Sequence, residues 1–333
     1  MNRATAIHPA HPPMREFTVS NHLLGDPAAL EAAWERDGYW FFRDVLDKDA
    51  VARLRHVYLD TMAGLGVVDE GRTDAAIWNG ASLTDYPINN HGALERDPLL
   101  ALNPRDTFVN EPKIRAFFEQ LFGDEVFWVP NTEYHALAPH AGGEGSVFNY
   151  VHADGPNNPG LPLRIFWIPL VTIDEDLGGL AVAEGLHRPR MGDFPRPREG
   201  IDQNAVPPEA WRRTVYQPGD LLAFSMETPH SGLRNRSGDR FRLSMDIRGM
   251  RRSENVPVVG TVAAVDASAL AVDAEDGSHH VFRLDETTYC RIARGRLSGM
   301  PLDLGEIPLL LKVGDPVYVA SNRGTATFIR PQH

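Results

Sequence analysis

The side chains best suited to hold a metal ion in this sequence are His152 and Asp154, two positions apart in the segment FNYVHADGP. Large apolar and aromatic residues come first and a Gly-Pro turn follows, which predicts a strand that ends at the turn. Side chains at positions i and i+2 of a strand point the same way, so an imidazole nitrogen and a carboxylate oxygen converge. Because a His-x-Asp pair arises by chance in a chain with 13 histidines, the pair needs a third ligand from elsewhere.

His230 is the candidate for that third ligand. It comes shortly after the apolar run LLAF and before a turn and another strand. Two histidines and one carboxylate on one face of an octahedron form the facial triad typical of non-haem Fe(II), which leaves positions open for small molecules. Zinc is the alternative metal, but zinc sites with three protein ligands more often use three histidines, or two histidines and a glutamate. We therefore expect iron at His152, Asp154 and His230.

A polar stripe follows on the strand RFRLSMDIRGM. Alternation puts its polar side chains on one face and its apolar ones on the other; the polar set is Arg240, Arg242, Ser244, Asp246 and Arg248. An inward arginine could hold the distal carboxylate of 2-oxoglutarate in a bidentate, charge-assisted pair, with a serine hydroxyl beside it. Arg242 with Ser244 has that form. Arg240 is the alternative anchor, but it lies nearer the Ser-Gly-Asp turn and is expected to reach solvent or an acid at the rim.

The elements that must position these side chains change in type along the chain. In the first part, Asp26 followed by proline predicts the start of a helix, residues 39–43 a short strand, and Asp47 the start of a second helix. A third helix is predicted within NEPKIRAFFEQLFG, capped by Asn110 and ended by Gly123. Short strands follow, separated by Gly, Pro and Asp turns, which indicates an antiparallel barrel or sandwich with helices packed outside. The predicted fold class is α+β.

Composition restricts the partners. The chain has 333 residues, enough for a large domain and a small one, and a formal net charge of −12. Nucleic acid and anionic membranes bind basic faces, so the expected partner is a small molecule, neutral or cationic, with no nucleic acid and no membrane. The single cysteine, Cys290, excludes an intrachain disulfide framework, and no apolar run of about 18 residues is present. We expect a cytoplasmic protein.

Residues 30–250 resemble the phytanoyl-CoA dioxygenase (PhyH-like) family of Fe(II)/2-oxoglutarate-dependent oxygenases. The resemblance covers the segments ERDGYWFFRDVLDKDAVARLR, YVHADG, FWIPLVTIDEDLGGLAVAEGLHR and PGDLLAFSMETPHSGLRNRSGDRFRLSMDIR. It implies a double-stranded β-helix core of the jelly-roll or cupin-like kind with flanking helices. It also implies that the family's metal ligands correspond to His152, Asp154 and His230. The family's 2-oxoglutarate arginine follows the second histidine at an offset that Arg240 and Arg242 flank.

The resemblance implies an oxidoreductase of the dioxygenase type. Such an enzyme uses Fe(II), 2-oxoglutarate and O2 to hydroxylate, desaturate or cyclise a small molecule, with release of succinate and CO2. A secondary metabolite is the expected substrate, since no basic cluster for the phosphates of CoA stands out. One alternative is a catalytically silent metal-binding or regulatory barrel that acts through a C-terminal association domain. Another is a cupin-like metal isomerase or hydrolase that does not use 2-oxoglutarate.

The chain is expected to divide into three parts. Residues 1–14 are a flexible arm, residues 15–250 the oxygenase domain, and residues 255–333 a small β-barrel outside the resemblance, with alternating strands on either side of an Asp-Gly turn. The barrel is not expected to bind the metal, because the adjacent His279 and His280 face opposite sides of a strand. Its expected role is to shape the pocket entrance or to join copies of the chain into a homo-oligomer.

Overall fold

The computed structural model describes residues 14–70, 75–82, 97–139, 151–155, 161–187, 201, 203–291 and 303–332. The helices there are α1 (Pro27–Asp37), α2 (Lys48–Gly64), α3 (Asp97–Leu102), α4 (Pro104–Asn110), α5 (Pro112–Phe122) and α6 (Ile307–Leu310). The first nine strands are β1 (Tyr39–Phe42), β2 (Val126–Trp128), β3 (Glu133–Leu137), β4 (Arg164–Pro169), β5 (Leu180–Ala183), β6 (Trp211–Arg212), β7 (Leu221–Ser225), β8 (His230–Gly232) and β9 (Arg242–Arg251). The others are β10 (Val258–Val265), β11 (Ala269–Ala274), β12 (His279–Arg283), β13 (Tyr289–Cys290), β14 (Pro316–Asn322) and β15 (Thr325–Pro331).

Two predicted features lie wholly or partly outside the described residues. Of the predicted N-terminal arm at 1–14, only Met14 is described. Of the predicted strand that contains the His-x-Asp pair, Phe148, Asn149 and Tyr150 lie outside, whereas His152 and Asp154 are described.

The predicted starts of the first two helices are confirmed. The Asp26 side chain accepts a hydrogen bond of 3.0 Å from the Ala29 backbone N–H, and Asp47 accepts one of 3.0 Å from Ala50. Each bond satisfies a donor that the first turn of a helix leaves without an intrahelical partner. The predicted short strand between them is β1, which is buried along its length.

The predicted cap of the third helix is wrong. Asn110 is the last residue of α4, and its side-chain Nδ2 donates to the carbonyl of Asp106 one turn earlier. α5 begins at Pro112, after Glu111, and its C-cap is Gly123 as predicted. Proline favours the first position of a helix because its φ is already helical and its missing N–H is not needed there. Pro112 therefore starts α5 as a new helix, and Asn110, the cap that the sequence pattern suggests, belongs to the helix before it.

Two antiparallel sheets form the centre of the molecule. The larger has the strand order β1-β7-β4-β9-β2, with β3 also paired to β9, and the smaller has the order β6-β5-β8. Helix α5 covers the larger sheet through Phe118, which packs edge to face against Trp128 and Phe166. The fold is α+β, a double-stranded β-helix core with flanking helices, as predicted. No helix in the described part of the chain is both long enough and apolar enough to span a bilayer.

The C-terminal strands form the predicted small barrel. Its strand order is β12-β11-β10-β14-β15, and β12 closes onto β15 at Thr325, while β13 pairs in parallel with β15 at Phe328 and Ile329. The barrel has an apolar core of its own that includes Val262, Leu270 and Phe282. Gly260 allows β10 and β11 to approach closely, because a Cβ there would lie 2.1 Å from the carbonyl oxygen of Asp273.

One outer face of this barrel is buried against the main core of the molecule. Tyr318, Ala320 and Phe328 belong to the same apolar cluster as the main core. Asn255 adds a polar contact, since its Nδ2 donates to the carbonyl of Ser321 at 2.7 Å. The first strand of the barrel, β10, begins at Val258, close to the predicted boundary at 250–255. The division of the chain into domains stays a prediction.

The end of α1 is bound to the turn between β7 and β8. Gly38 adopts the left-handed conformation with φ 78°, and a Cβ on it would lie 2.4 Å from Nδ1 of His187. Its carbonyl accepts hydrogen bonds from the Ser225 N–H at 3.0 Å and from the Thr228 hydroxyl at 2.9 Å. Only glycine satisfies both the backbone conformation and the close approach.

We expect Gly38→Ala to destabilise the protein more than Gly123→Ala. Both glycines are left-handed C-caps of 11-residue helices, but nothing lies within 4 Å of a Cβ at Gly123. The left-handed backbone costs each alanine about 1–2 kcal/mol, and crowding against His187 adds about 1–3 kcal/mol at Gly38 alone. Urea unfolding of the two variants measures the difference, and equal losses would contradict the close contact.

Candidate metal centre

The segment that contains His152 pairs with the first residue of β8. The His152 N–H donates to the His230 carbonyl at 3.0 Å, and the His230 N–H donates to the His152 carbonyl at 2.8 Å. Residues that exchange both bonds in an antiparallel pair present their side chains on the same face. The two imidazole rings are accordingly neighbours, with centroids 4.3 Å apart.

The three predicted ligands lie together. One ligand atom each from His152, Asp154 and His230 falls within 4.8 Å of the others. Nδ1 of His230 lies 2.9 Å from the carbonyl oxygen of Thr228. Because a carbonyl only accepts, Nδ1 holds the proton and Nε2 keeps its lone pair for a metal ion. Two imidazoles and a carboxylate around one point form the donor set of an Fe(II) facial triad, so the residues fit this metal.

Arg248 sets the direction and charge of the Asp154 carboxylate. Its Nη2 donates to Oδ2 of Asp154 at 2.9 Å, while Oδ1 of Asp154 lies 3.6 Å from Nε2 of His152. Removal from water by itself raises the pKa of Asp154, but Arg248 and the two imidazoles together hold that pKa well below its usual range. Burial lowers the pKa of His230 to about 4, and His152 adds to this effect. At pH 7 the site therefore offers an ionised carboxylate and a neutral His230 imidazole, which are the metal-binding forms.

Arg242 and Ser244 lie on the inner face of β9 and are buried. Nη1 of Arg242 donates to the carbonyls of Gly179 and Leu233 at 2.8 and 2.9 Å. Its Nε and the Ser244 hydroxyl are buried and meet no hydrogen-bond partner among the described residues. Buried polar atoms are almost always paired in proteins, so these two atoms fit a polar ligand such as a carboxylate.

Asp246 lies between Ser244 and Arg248 on the polar face of β9. Its charge acts on both His230 and Arg242, and its Oδ2 lies 3.3 Å from Nε2 of His135 on the neighbouring strand β3. Burial lowers the pKa of Arg242 to about 10, against the opposing effects of Asp246 and Tyr216. Arg242 thus remains a cation at neutral pH, on the same strand as the arginine that contacts the metal ligand.

Arg240, the alternative anchor, lies outside β9 at the edge of the sheet. Its Nη1 and Nη2 donate to the two carboxylate oxygens of Asp174 at 2.9 and 3.2 Å. An isolated bridge pairs its backbone with Ile77. The structure thus separates the two arginines: Arg242 is buried beside Ser244, and Arg240 is engaged with an acid in the turn after β4.

Two contacts near the site have no counterpart in the sequence analysis. Alternation along β9 places Arg248 on the polar face but does not indicate its bond to Asp154. Arg330 of the C-terminal barrel donates through Nη2 to Oδ1 of Asn131 at 2.9 Å. The sequence signal that could have indicated the second contact is Arg330 in the otherwise apolar segment FIRP. Alternation along a strand places Arg330 on the same face as Phe328.

The chain is similar in sequence to known proteins. A family model described as phytanoyl-CoA dioxygenase (PhyH) matches residues 34–244. The 1-deoxypentalenic acid 11-beta-hydroxylase of Streptomyces arenae is 30% identical over 248 residues, which are 70% of this chain and 84% of the relative. The enzyme of the same name from Streptomyces exfoliatus is 28% identical, over 71% and 85% of the two chains. A crystal structure of EctD from S. alaskensis with bound Fe has 18% identity and a TM-score of 0.49, and the match covers 73% of this chain and 82% of that one.

We expect His152→Ala and His230→Ala each to weaken Fe(II) binding by more than about 100-fold. Removal of a residue that only hydrogen-bonds to a metal ligand costs up to about 100-fold in metal affinity, and loss of a ligand itself should cost more. His135→Ala is the matched control, because His135 lies against Asp246 and is outside the group of three. Anaerobic competition with a chelator measures the affinity of each variant. Metal loss in the His135 variant alone would show that the ligands have been assigned wrongly.

Proposed function

Because this chain belongs to the phytanoyl-CoA dioxygenase family, we propose that it hydroxylates a small-molecule secondary metabolite with Fe(II), 2-oxoglutarate and O2, and releases succinate and CO2. The observation that supports this best is the convergence of two imidazoles and one carboxylate within 4.8 Å. Two relatives are named as hydroxylases of 1-deoxypentalenic acid, which favours hydroxylation over desaturation or ring formation. The enzyme is an Fe(II)/2-oxoglutarate-dependent oxidoreductase.

His152, Asp154 and His230 would hold the iron through Nε2 of His230, a carboxylate oxygen and the second imidazole. When bound, the metal supplies the activation of O2 that cleavage of an unactivated C–H bond requires. The protein's own part is to keep the ligands in their binding forms. Arg248 does this for Asp154 through their 2.9 Å bond, and the Thr228 carbonyl does it for His230 by fixing its tautomer.

Arg242 and Ser244 are proposed to bind the distal carboxylate of 2-oxoglutarate. Nε of Arg242 and the Ser244 hydroxyl support this role, since both are buried donors on one face of β9 and neither has a hydrogen-bond partner in the described part of the chain. A guanidinium can form two parallel bonds to a carboxylate, which fixes orientation as well as affinity. Arg240 is a weaker candidate because Asp174 already holds both of its terminal nitrogens.

The division of labour along the chain is part of the same proposal. We infer that residues 15–250 form the oxygenase unit and that residues 255–333 form an accessory barrel. A catalytically silent barrel that acts only by association is the competing function. It is disfavoured because a silent protein has no chemical need to bring two imidazoles and a carboxylate together, or to bury polar atoms on β9 that meet no hydrogen-bond partner among the described residues.

A direct test combines 2-oxoglutarate turnover with metal-dependent spectra. Addition of 2-oxoglutarate to the anaerobic Fe(II) protein should produce the visible charge-transfer band of a chelated 2-oxoacid. A screen of secondary-metabolite pools for succinate release should then find a substrate whose product gains one oxygen atom. A product that loses two hydrogen atoms would assign desaturation or ring formation instead, and absence of both band and succinate would favour the silent barrel.

We expect Arg242→Ala to raise the KM for 2-oxoglutarate by at least about tenfold, since loss of a buried charge pair costs about 2–5 kcal/mol. Arg242→Lys should restore only part of the affinity, because an ammonium cannot reproduce the guanidinium fork. Arg240→Ala is the matched control and should change the KM far less. The reverse order of effects would assign the anchor to Arg240, and Fe(II) affinity should be little changed in all three variants.

A further inference from the structure

A bulge in the larger sheet lies opposite Arg248. Strands β2 and β3 follow each other along the edge of β9 that β4 does not occupy, and the paired positions on either side of the gap are Trp128 with Gly249 and Glu133 with Asp246. Between these pairs β9 contributes two residues, 247 and 248, and the opposite segment contributes four, 129–132. Extra residues in one strand of an antiparallel pair redirect its backbone, and such bulges are frequent next to active sites.

The bulge presents the backbone carbonyl of Asn131 to the guanidinium of Arg248. Nη1 of Arg248 donates to this carbonyl at 3.4 Å, and Nη2 donates to Oδ2 of Asp154 at 2.9 Å. The guanidinium is planar and rigid, so a bond at one terminal nitrogen restricts the direction of the other. Nε of Arg248 meets no hydrogen-bond partner among the described residues. The position of Asn131 therefore bears directly on how Arg248 meets Asp154.

Arg330 of the C-terminal barrel holds the side chain of the same asparagine. Its Nη2 donates to Oδ1 of Asn131 at 2.9 Å. Asn131 and Arg330 are 9% and 5% exposed, so water is largely excluded from this bond. A hydrogen bond from a charged donor is stronger than a neutral one, and more so where water is excluded. Since Asn131 lies between two strands rather than in one, its position depends on such a bond.

Arg330 lies on the docked face of the barrel. Tyr318 on β14 and Arg330 on β15 are direct cross-strand partners, so their side chains share a face. Ala320 and Phe328 lie on the same face by alternation, and both belong to the apolar cluster of the main core. Docking of the barrel is therefore what brings Arg330 to Asn131.

The far end of this series of contacts selects the carboxylate oxygen that faces the imidazoles. Arg248 binds Oδ2 of Asp154, and Oδ1 lies 3.6 Å from Nε2 of His152. Residues that hydrogen-bond to a metal ligand fix its orientation, and their loss typically costs about 10–100-fold in metal affinity. A residue that fixes Arg248 should therefore influence metal affinity as well, although it is further from the ion.

We propose that Arg330 is a positioning residue for the metal ligand Asp154, which it influences through Asn131 and Arg248, so that the docked barrel completes the metal site without supplying a ligand. This inference rests on the proposed function, because it takes Asp154 as a ligand of Fe(II). It gives the barrel a role other than shaping the pocket entrance or joining copies of the chain. The competing explanation is that Arg330 only fastens the barrel to the main core.

The test measures the affinity of the full chain for Fe(II) alone, by anaerobic competition with a chelator. Arg330→Met keeps an unbranched apolar stem but removes the charge and the donors, and it should weaken Fe(II) binding by about tenfold. Arg330→Lys keeps a charged donor and should recover part of that loss. Asn255→Ala is the matched control, because it removes another polar contact of the docked barrel, to the Ser321 carbonyl, and should leave the Fe(II) affinity unchanged.

A double-mutant cycle separates positioning from general stability. Arg248→Met should weaken Fe(II) binding by about 10–100-fold. Addition of Arg330→Met to that variant should change the affinity by less than about twofold, because residues that act through one another are not additive. If Arg330 only stabilised the fold, its loss would lower the affinity by the same factor in both backgrounds. Thermal unfolding of each variant shows whether it is folded at the temperature of the titration.

Wild-type Fe(II) affinity in Arg330→Met would overturn the positioning role and leave the proposed function intact. The same holds if the two losses multiply in the double variant, or if Arg330→Lys binds Fe(II) no better than Arg330→Met. Intact Fe(II) affinities in the expected order, without any 2-oxoglutarate turnover, would overturn the proposed function alone. A wild-type protein that does not bind Fe(II) would overturn both.

Discussion

The metal centre depends on one backbone pairing, between His152 and His230. The two residues come from separate segments of the chain, and two N–H···O bonds of 3.0 and 2.8 Å place their imidazoles side by side. Thr228 holds His230 in place. Its carbonyl accepts a hydrogen bond from Nδ1 of His230, and its hydroxyl donates to the carbonyl of Gly38 at the end of α1. The end of α1 is thus connected to the His230 ligand by two hydrogen bonds that meet at Thr228.

Burial of polar side chains on strand β9 costs folding free energy. It buries Arg242, Ser244 and Arg248, whose polar atoms would be more stable in water unless they were paired. The carbonyls of Gly179 and Leu233 and the carboxylate of Asp154 compensate part of that cost. Apolar residues of similar size would make a simpler core, so the polar strand is understandable as a surface prepared for charged ligands.

Features with local causes could be predicted from the sequence. Asp26 and Asp47 cap helices because the donors they satisfy lie three residues away. The ligand set could also be proposed, because few residue types bind iron and their strand context limits the choice. The assignment of Asn110 failed because two adjacent helices compete for the same segment. The bond from Arg330 to Asn131 could not be foreseen, since it depends on how the barrel docks, and no local pattern encodes that.

The docking of the barrel closes a very long loop, because Asn131 and Arg330 are 199 residues apart in the chain. Contacts of such separation slow folding, since the entropy of closing the loop is lost before the contact stabilises anything. Until the barrel docks, the apolar side chains of Tyr318 and Phe328 stay exposed, and so does the part of the main core against which they pack. Such transiently exposed surface promotes aggregation. Production of this protein at high concentration is therefore most vulnerable during the interval between folding of the strands and their final assembly.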